Sequence, residues 1–169
     1  MVLVGYSEEE DEEDSRKEKR FDRTMHRVAR NADCDLVVAK FRREEMKTVL
    51  VPLGAEPQLR VTGLLCKALA SVEGTSFRFL RVIPPGSSTG EARWGTEKIL
   101  QAGGLAGMGE LQVVESESLL DTLQAQASDR DLVIVGPAVT HSAFGAILTK
   151  TGEKIAERVS SSVLLTRAR

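Results

Sequence analysis

Short apolar runs alternate along this chain with stretches whose apolar positions recur every three or four residues. Thr48–Gly54 (TVLVPLG) is a continuous run broken by Pro52 and Gly54. Val61, Leu64, Leu65, Ala68, Leu69 and Val72 then fall at i, i+3, i+4, i+7, i+8 and i+11, one face of a helix, with Gly74 placed to end it. Ser76–Ile83 (SFRFLRVI) predicts a second strand, and PPGSS at 84–88 a loop. A helix over Glu91–Ala102, a strand over Leu111–Glu115, a helix carrying Leu119, Leu120, Leu123 and Ala127, and a strand at Leu132–Gly136 (LVIVG) follow. Leu148, Thr151, Ile155 and Val159 mark the last helix, and Val163–Thr166 (VLLT) the last strand. The order from Thr48 is therefore β-α-β-α-β-α-β-α-β. It predicts an α/β fold: a five-stranded, open, doubly wound parallel sheet in a three-layer α/β/α arrangement. Such sheets bind ligands beyond the carboxyl ends of their strands at the topological switch point, which points to the loops after Leu53 and Gly136.

The first forty residues repeat the ending. Met1–Gly5 (MVLVG) and Leu36–Ala39 (LVVA) read as strands, and Phe21, Met25, Val28, Ala29 and Ala32 mark one helical face between them. Aligned from the C-terminal strands, Leu36 falls on Val163, Val38 on Leu165 and Thr24 on Thr151. Gly5 falls on Gly136 with four extra residues in the first loop. That loop holds SEEEDEED at 7–14, where seven consecutive carboxylates repel one another and bury nothing, the pattern of a solvated segment. The chain thus divides into a strand-helix-strand at 1–42, a connector at 43–46 and a complete domain at 47–169.

Composition narrows the function. With 169 residues, 23 Lys+Arg against 25 Asp+Glu and 4% aromatics, the chain lacks the positive charge and stacking residues of a nucleic-acid binder. No apolar run approaches the roughly 18–20 residues that span a bilayer, and the two cysteines, Cys34 and Cys66, suit a reducing, cytoplasmic setting. His26 and His141 are the only histidines, each without metal-ligand spacing, so no metal site and no catalytic triad is expected. Lys67, Arg78 and Arg81 read as scattered charges.

TVLVPLG at the start and LVIVGPAVTHSAFGAILTKTGEKIAERVSSSVLLTR at the end resemble the universal stress protein domain over residues 47–169. VLVGY with FDRTMHRVARNADCDLVVA resembles the family's ending, so Met1–Arg42 resembles the last strand-helix-strand of a preceding tandem copy, cut within that copy. The resemblance implies an adenine nucleotide alpha hydrolase-like fold and a regulatory or sensory module that is not catalytic. Because the family also occurs as cytosolic tails of membrane transporters, a cytosolic C-terminal regulatory domain of a transporter is one expectation. The alternative is a module that binds ATP or another adenine nucleotide through a modified phosphate loop.

ATP-binding members carry G-x-x-G-x9-G-[S/T] after the fourth strand, whose glycines admit phosphates to backbone N–H groups. Here the motif falls on Gly136, Val139, Thr149 and Lys150, and the acidic residue that often follows the first strand falls on Gly54. The cofactor-site residues that the resemblance implies are Pro52, Gly54, Val82, Gly136, Val139, Thr149 and Lys150. With Val139, Thr149 and Lys150 in place of glycine, glycine and Ser/Thr, the ordinary phosphate contacts are broken. The partial copy, with its carboxylates in the corresponding loop, is expected to bind no nucleotide. The family's habit of pairing final strands implies either a homodimer or an intramolecular pseudo-dimer through Val163–Thr166 and Leu36–Ala39.

Overall fold

β-branched and leucine-rich runs become the strands of one sheet. The computed structural model describes residues 1–6, 31–54, 59–136 and 150–169. The strands are β1 (Val2–Tyr6), β2 (Leu36–Lys40), β3 (Thr48–Leu53), β4 (Ser76–Ile83), β5 (Glu110–Glu115), β6 (Leu132–Val135) and β7 (Ser162–Arg167). Among the described residues the helices are α1 (Leu59–Ala70), α2 (Thr89–Ala102), α3 (Leu119–Ala127) and α4 (Lys150–Arg158). The helix predicted over Phe21–Ala32 lies mostly outside the described residues, as do the acidic run at 7–14, His26 and His141.

The strands from Thr48 onward form the expected parallel, doubly wound unit, but the sheet has seven strands rather than five. Its order is β1-β2-β7-β6-β3-β4-β5, and every neighbouring pair is parallel except β2–β7. The five-strand expectation holds for 47–169 alone. β1 and β2 extend that sheet because β7 would otherwise present an unpaired apolar edge. The ladder sets Leu36 opposite Arg167, Val37 opposite Thr166, Val38 opposite Leu165, Ala39 opposite Leu164 and Lys40 opposite Val163. Val38 and Leu165, equivalent in the sequence repeat, thus face each other directly. Val4 pairs with Val38 as Val135 pairs with Leu165, so both strand pairs share one register about a local twofold axis.

Two apolar layers flank the sheet because strand side chains alternate between its faces. Val49, Val51, Leu53, Phe77, Phe79, Leu132 and Ile134 pack with Val61 and Cys66 of α1 and Leu100 of α2. Leu50, Leu80, Val133 and Val163 pack with Leu123 and Ala127 of α3 and Ile155, Ala156 and Val159 around α4. Each fully buried large side chain, such as Phe79, Leu50 or Ile134, contributes about 1.5–3 kcal/mol. Leu64 and Val72, expected on the apolar face of α1, are 55% and 54% exposed. Helical phase placed them at the margin of that face, and α1 ends before Val72.

Local chemistry sets the boundaries. α2 begins two residues earlier than its apolar positions indicated, because the Ser88 hydroxyl caps it by accepting from the Glu91 N–H at 3.2 Å. Ser118 caps α3 in the same way through the Asp121 N–H at 3.3 Å. At the entry to β5 a Cβ on Gly109 would sit 2.3 Å from the Phe77 carbonyl oxygen, so only glycine permits that approach.

Polar side chains lock the amino ends of the central strands. One Asp131 carboxylate oxygen accepts from the Thr48 N–H at 2.8 Å, the Thr48 hydroxyl at 2.8 Å and the Lys47 N–H at 3.1 Å. The Ser162 hydroxyl oxygen accepts from the Arg42 and Arg43 N–H groups, each at 3.0 Å. Arg42 also donates to the Val159 carbonyl. The connector between β2 and β3 is thereby tied to the start of β7. The Thr48 hydrogen bonds, assisted by the Lys47 N–H and by Arg43, hold the Asp131 carboxyl below its ordinary value of 3.8.

Replacing that carboxylate should cost about 1.5–3 kcal/mol at neutral pH, the range for hydrogen bonds to a charged group. Because folding lowers this pKa, the contribution is fully present above about 3.8. It is lost as pH falls through the lower folded-state value. Urea unfolding of the parent and Asp131→Ala should therefore differ at pH 7 and converge in strong acid; equal stability at pH 7 would remove Asp131 from this role. Burial pushes the Cys66 thiol up to about 12, whereas Cys34 is partly exposed. A thiol reagent at pH 8 should label Cys34 in the native protein and reach Cys66 only on unfolding. Native labelling of Cys66 would contradict its packing under α1.

Candidate functional site

The sheet's topology makes one crevice. The strand order reverses between β3 and β6, since the chain moves outward from β3 through β4 to β5 and then returns to β6 and β7. α1, after β3, covers one face, and α4, after β6, covers the other. The carboxyl ends of β3 and β6 therefore part there, the geometry in which open α/β sheets hold ligands.

Several expected residues gather at this end. β3 and β6 pair at Val49–Leu132 and Leu50–Val133, and Leu53 and Gly136 lie three residues beyond the last pair on each side of the parting. Gly54 follows as the exposed residue after β3, with nothing within 4 Å of a Cβ built on it. Pro52 is half-buried on β3 opposite Leu80. Val82 is half-buried on β4 and packs against the cluster under α3 and α4, which makes it part of the crevice's supporting wall. Gly136 is half-buried just beyond β6. Lys150 opens α4. Val139 and Thr149 lie outside the described residues.

One residue at this end was legible in the sequence only as a scattered charge. Arg81 pairs in the ladder with Leu53 and donates from a guanidinium nitrogen to the Leu53 carbonyl at 3.3 Å. Leu53 and Arg81 thus lie side by side toward the carboxyl ends of β3 and β4. The only sequence signal was its place in SFRFLRVI, where alternation puts Arg81 on the face of Phe77 and Phe79. Burial lowers its pKa, since a charge leaving water loses hydration.

The wall toward β5 is ordered by Glu115, whose carboxylate oxygens accept from the Gly86 N–H and the Thr89 hydroxyl, both at 3.2 Å. These bonds hold the 84–89 loop at the start of α2. Near the ends of β6 and β7, Thr62 of α1 hydrogen-bonds to Thr166 at 3.2 Å, and Thr166 donates to the Val135 carbonyl at 3.3 Å. A separate open groove of about 520 Å³ runs between α1 and α2, lined among others by Leu59, Leu64, Lys67, Ile99 and Gly103. It lies on the outer side of the helices. Among the described residues no group of three or more His, Cys, Asp and Glu side chains is placed to hold a metal ion. No helix among them is long and apolar enough to cross a membrane.

No protein-family model matches the chain, and no curated protein matches it in sequence. Solved structures do match. The cytoplasmic domain of a prokaryotic cation chloride cotransporter is similar over 98% of this chain and 63% of its own, at 11% identity and a TM-score of 0.64. A universal stress protein from Archaeoglobus fulgidus is similar over 98% of this chain and 60% of its own, at 16% identity and a TM-score of 0.62. A universal stress protein solved in complex with cAMP is similar over 73% of this chain and 98% of its own, at 20% identity and a TM-score of 0.54. The chain spans less than two thirds of the length of the first two. With its parallel, doubly wound unit and a helix layer on each face, this chain has the fold of the universal stress proteins.

Proposed function

We propose that this chain is a universal stress protein-like regulatory module that acts by binding rather than by catalysis, and that it serves as the cytosolic C-terminal regulatory domain of a membrane transporter. The observation that carries this reading is that a transporter's cytoplasmic domain, like the Archaeoglobus fulgidus universal stress protein, is similar over nearly the whole chain. The match to the cotransporter's cytoplasmic domain takes in 98% of the chain, and so includes the two strands that single-domain relatives do not reach. On this reading Met1–Arg42 is the end of a preceding copy, joined to 47–169 as an intramolecular pseudo-dimer through β2 and β7. The shared register of the two strand pairs supports it. So does the edge strand β1, where Val2 and Leu3 are 44% and 60% exposed on a strand that a full copy would cover. Binding rather than catalysis is favoured because two candidate reactive groups among the described residues lie away from the crevice. Cys66 is sealed in the core, and Asp131 is spent on strand ends opposite the crevice.

A second reading, that the crevice takes an adenine nucleotide through a modified phosphate site, is favoured by Gly54, where no atom lies within 4 Å of a Cβ built on it, and by the relative solved with cAMP.

Two measurements test these readings. The natural polypeptide carrying this segment should remain with carbonate-washed membranes, and deleting residues 47–169 should alter ion flux in proteoliposomes. Recovery in the soluble fraction alone, or unchanged flux, defeats the transporter reading. Thermal unfolding with ATP, AMP and cAMP tests the second: a ligand at 100 times its Kd adds about 2.7 kcal/mol. A flat response to all three removes it.

A further inference from the structure

Arg81 is a half-buried arginine of which the protein itself engages little of the donor capacity. The side chain lies at the carboxyl end of β4, and its one hydrogen bond among the described residues goes to the Leu53 carbonyl. A guanidinium carries five N–H donors in a planar fork, so most of this fork is left for another acceptor. No carboxylate among the described residues forms an ion pair with it. Glu115, the acidic residue at the same end of neighbouring β5, has both oxygens engaged with the 84–89 loop. Arg78, three residues earlier on the same strand, faces the other side of the sheet, where it pairs with Glu110 at 3.6 Å and donates to Gln126 at 3.4 Å, although its buried Nε has no hydrogen-bond partner.

The position of this cation adds a second observation. Arg81 stands beside Leu53 at the carboxyl end of β3, one strand from the switch point, and no atom lies within 4 Å of a Cβ built on the next residue, Gly54. Leu53, Gly54 and Gly136 carry no charge that would repel an anion. In the sequence, Val139, Thr149 and Lys150 stand where a glycine-rich phosphate cradle would need glycine, glycine and a hydroxyl. A donor outside that loop can supply anion recognition in this crevice that the glycine pattern no longer provides.

We propose that the Arg81 guanidinium binds the phosphoryl group of a small ligand lying over the carboxyl end of β3, so that the anion is read from the β3–β4 side of the crevice. This rests on the second reading above for the nucleotide, and on Arg81 itself for the phosphoryl group. The planar fork suits two oxygens of one phosphoryl group, and the Leu53 carbonyl fixes its orientation before the ligand arrives. Lysine at this position restores the charge without the fork.

Calorimetric titration of the full chain with AMP, adenosine and inorganic phosphate tests it in the parent, Arg81→Gln, Arg81→Lys and Lys150→Gln proteins. AMP and phosphate should weaken about tenfold or more in Arg81→Gln, the loss expected of a charge-assisted contact. Arg81→Lys should recover part of that loss, and adenosine should bind parent and Arg81→Gln alike. In the parent, inorganic phosphate should also shift the Arg81 Nε–H resonance, assigned by its disappearance in the folded Arg81→Gln protein. Equal AMP affinity in parent and Arg81→Gln overturns the role of Arg81 and leaves the nucleotide reading standing. Loss confined to Lys150→Gln likewise overturns it, placing the anion at α4. If AMP and adenosine fail to bind while phosphate still shifts the resonance, the nucleotide reading falls and the Arg81 site stands. If no probe binds, both fall.

Discussion

The antiparallel ladder between β2 and β7 is the constraint on which the rest of this sheet depends. Among the described strands it is the one junction where direction reverses, and it joins two segments more than a hundred residues apart in the chain. Its register is demanding. Val37, Ala39 and Leu164 belong to the core under α1 and α2, while Val163 belongs to the other face. A slip of one residue would turn each of these to the opposite layer. The Val38–Leu165 pair lies at the centre of the ladder, and the equivalence of these two positions in the sequence repeat makes the junction self-complementary. The same logic builds isologous dimers from two chains; here both surfaces belong to one chain.

The two ends of the sheet divide the work. At the amino ends, polar groups are consumed in holding strands together: Asp131 gathers the start of β3, and Ser162 gathers the connector from β2. Such satisfied clusters are structural, since little donor or acceptor capacity remains for a ligand. At the carboxyl ends the balance is different. Gly54 leaves room, Gly136 leaves the β6 rim without a side chain, and Arg81 brings a cation with most of its donors uncommitted to described partners. Chemical capacity thus accumulates at the end where the topology opens a crevice.

Element positions were legible to within a residue or two because parallel central strands are apolar almost throughout. Ser76–Ile83 and the core of Leu132–Gly136 came directly from that run, and Thr48–Gly54 lost only its final glycine. Helix margins were less legible. Leu64 lies in the apolar stripe of α1 by spacing alone, but the stripe is wider than the surface the sheet offers, so it faces solvent. The strand count also exceeded expectation. The repeat was visible in LVVA and VLLT, yet whether those runs would meet in one chain or between two depends on the path between them.

Sequence by itself determined the α/β order and the parallel unit. Those are local properties: periodicity, punctuation by glycine and proline, and residue identity at fixed spacing. Tertiary structure alone decided that β2 closes onto β7, that Asp131 is spent on Thr48, and that Arg81 stands beside Leu53 at the mouth of the crevice. Each of these joins residues between 28 and 131 positions apart. Which strands become neighbours follows from the summed burial of two apolar layers, a balance that no single segment carries in its own pattern.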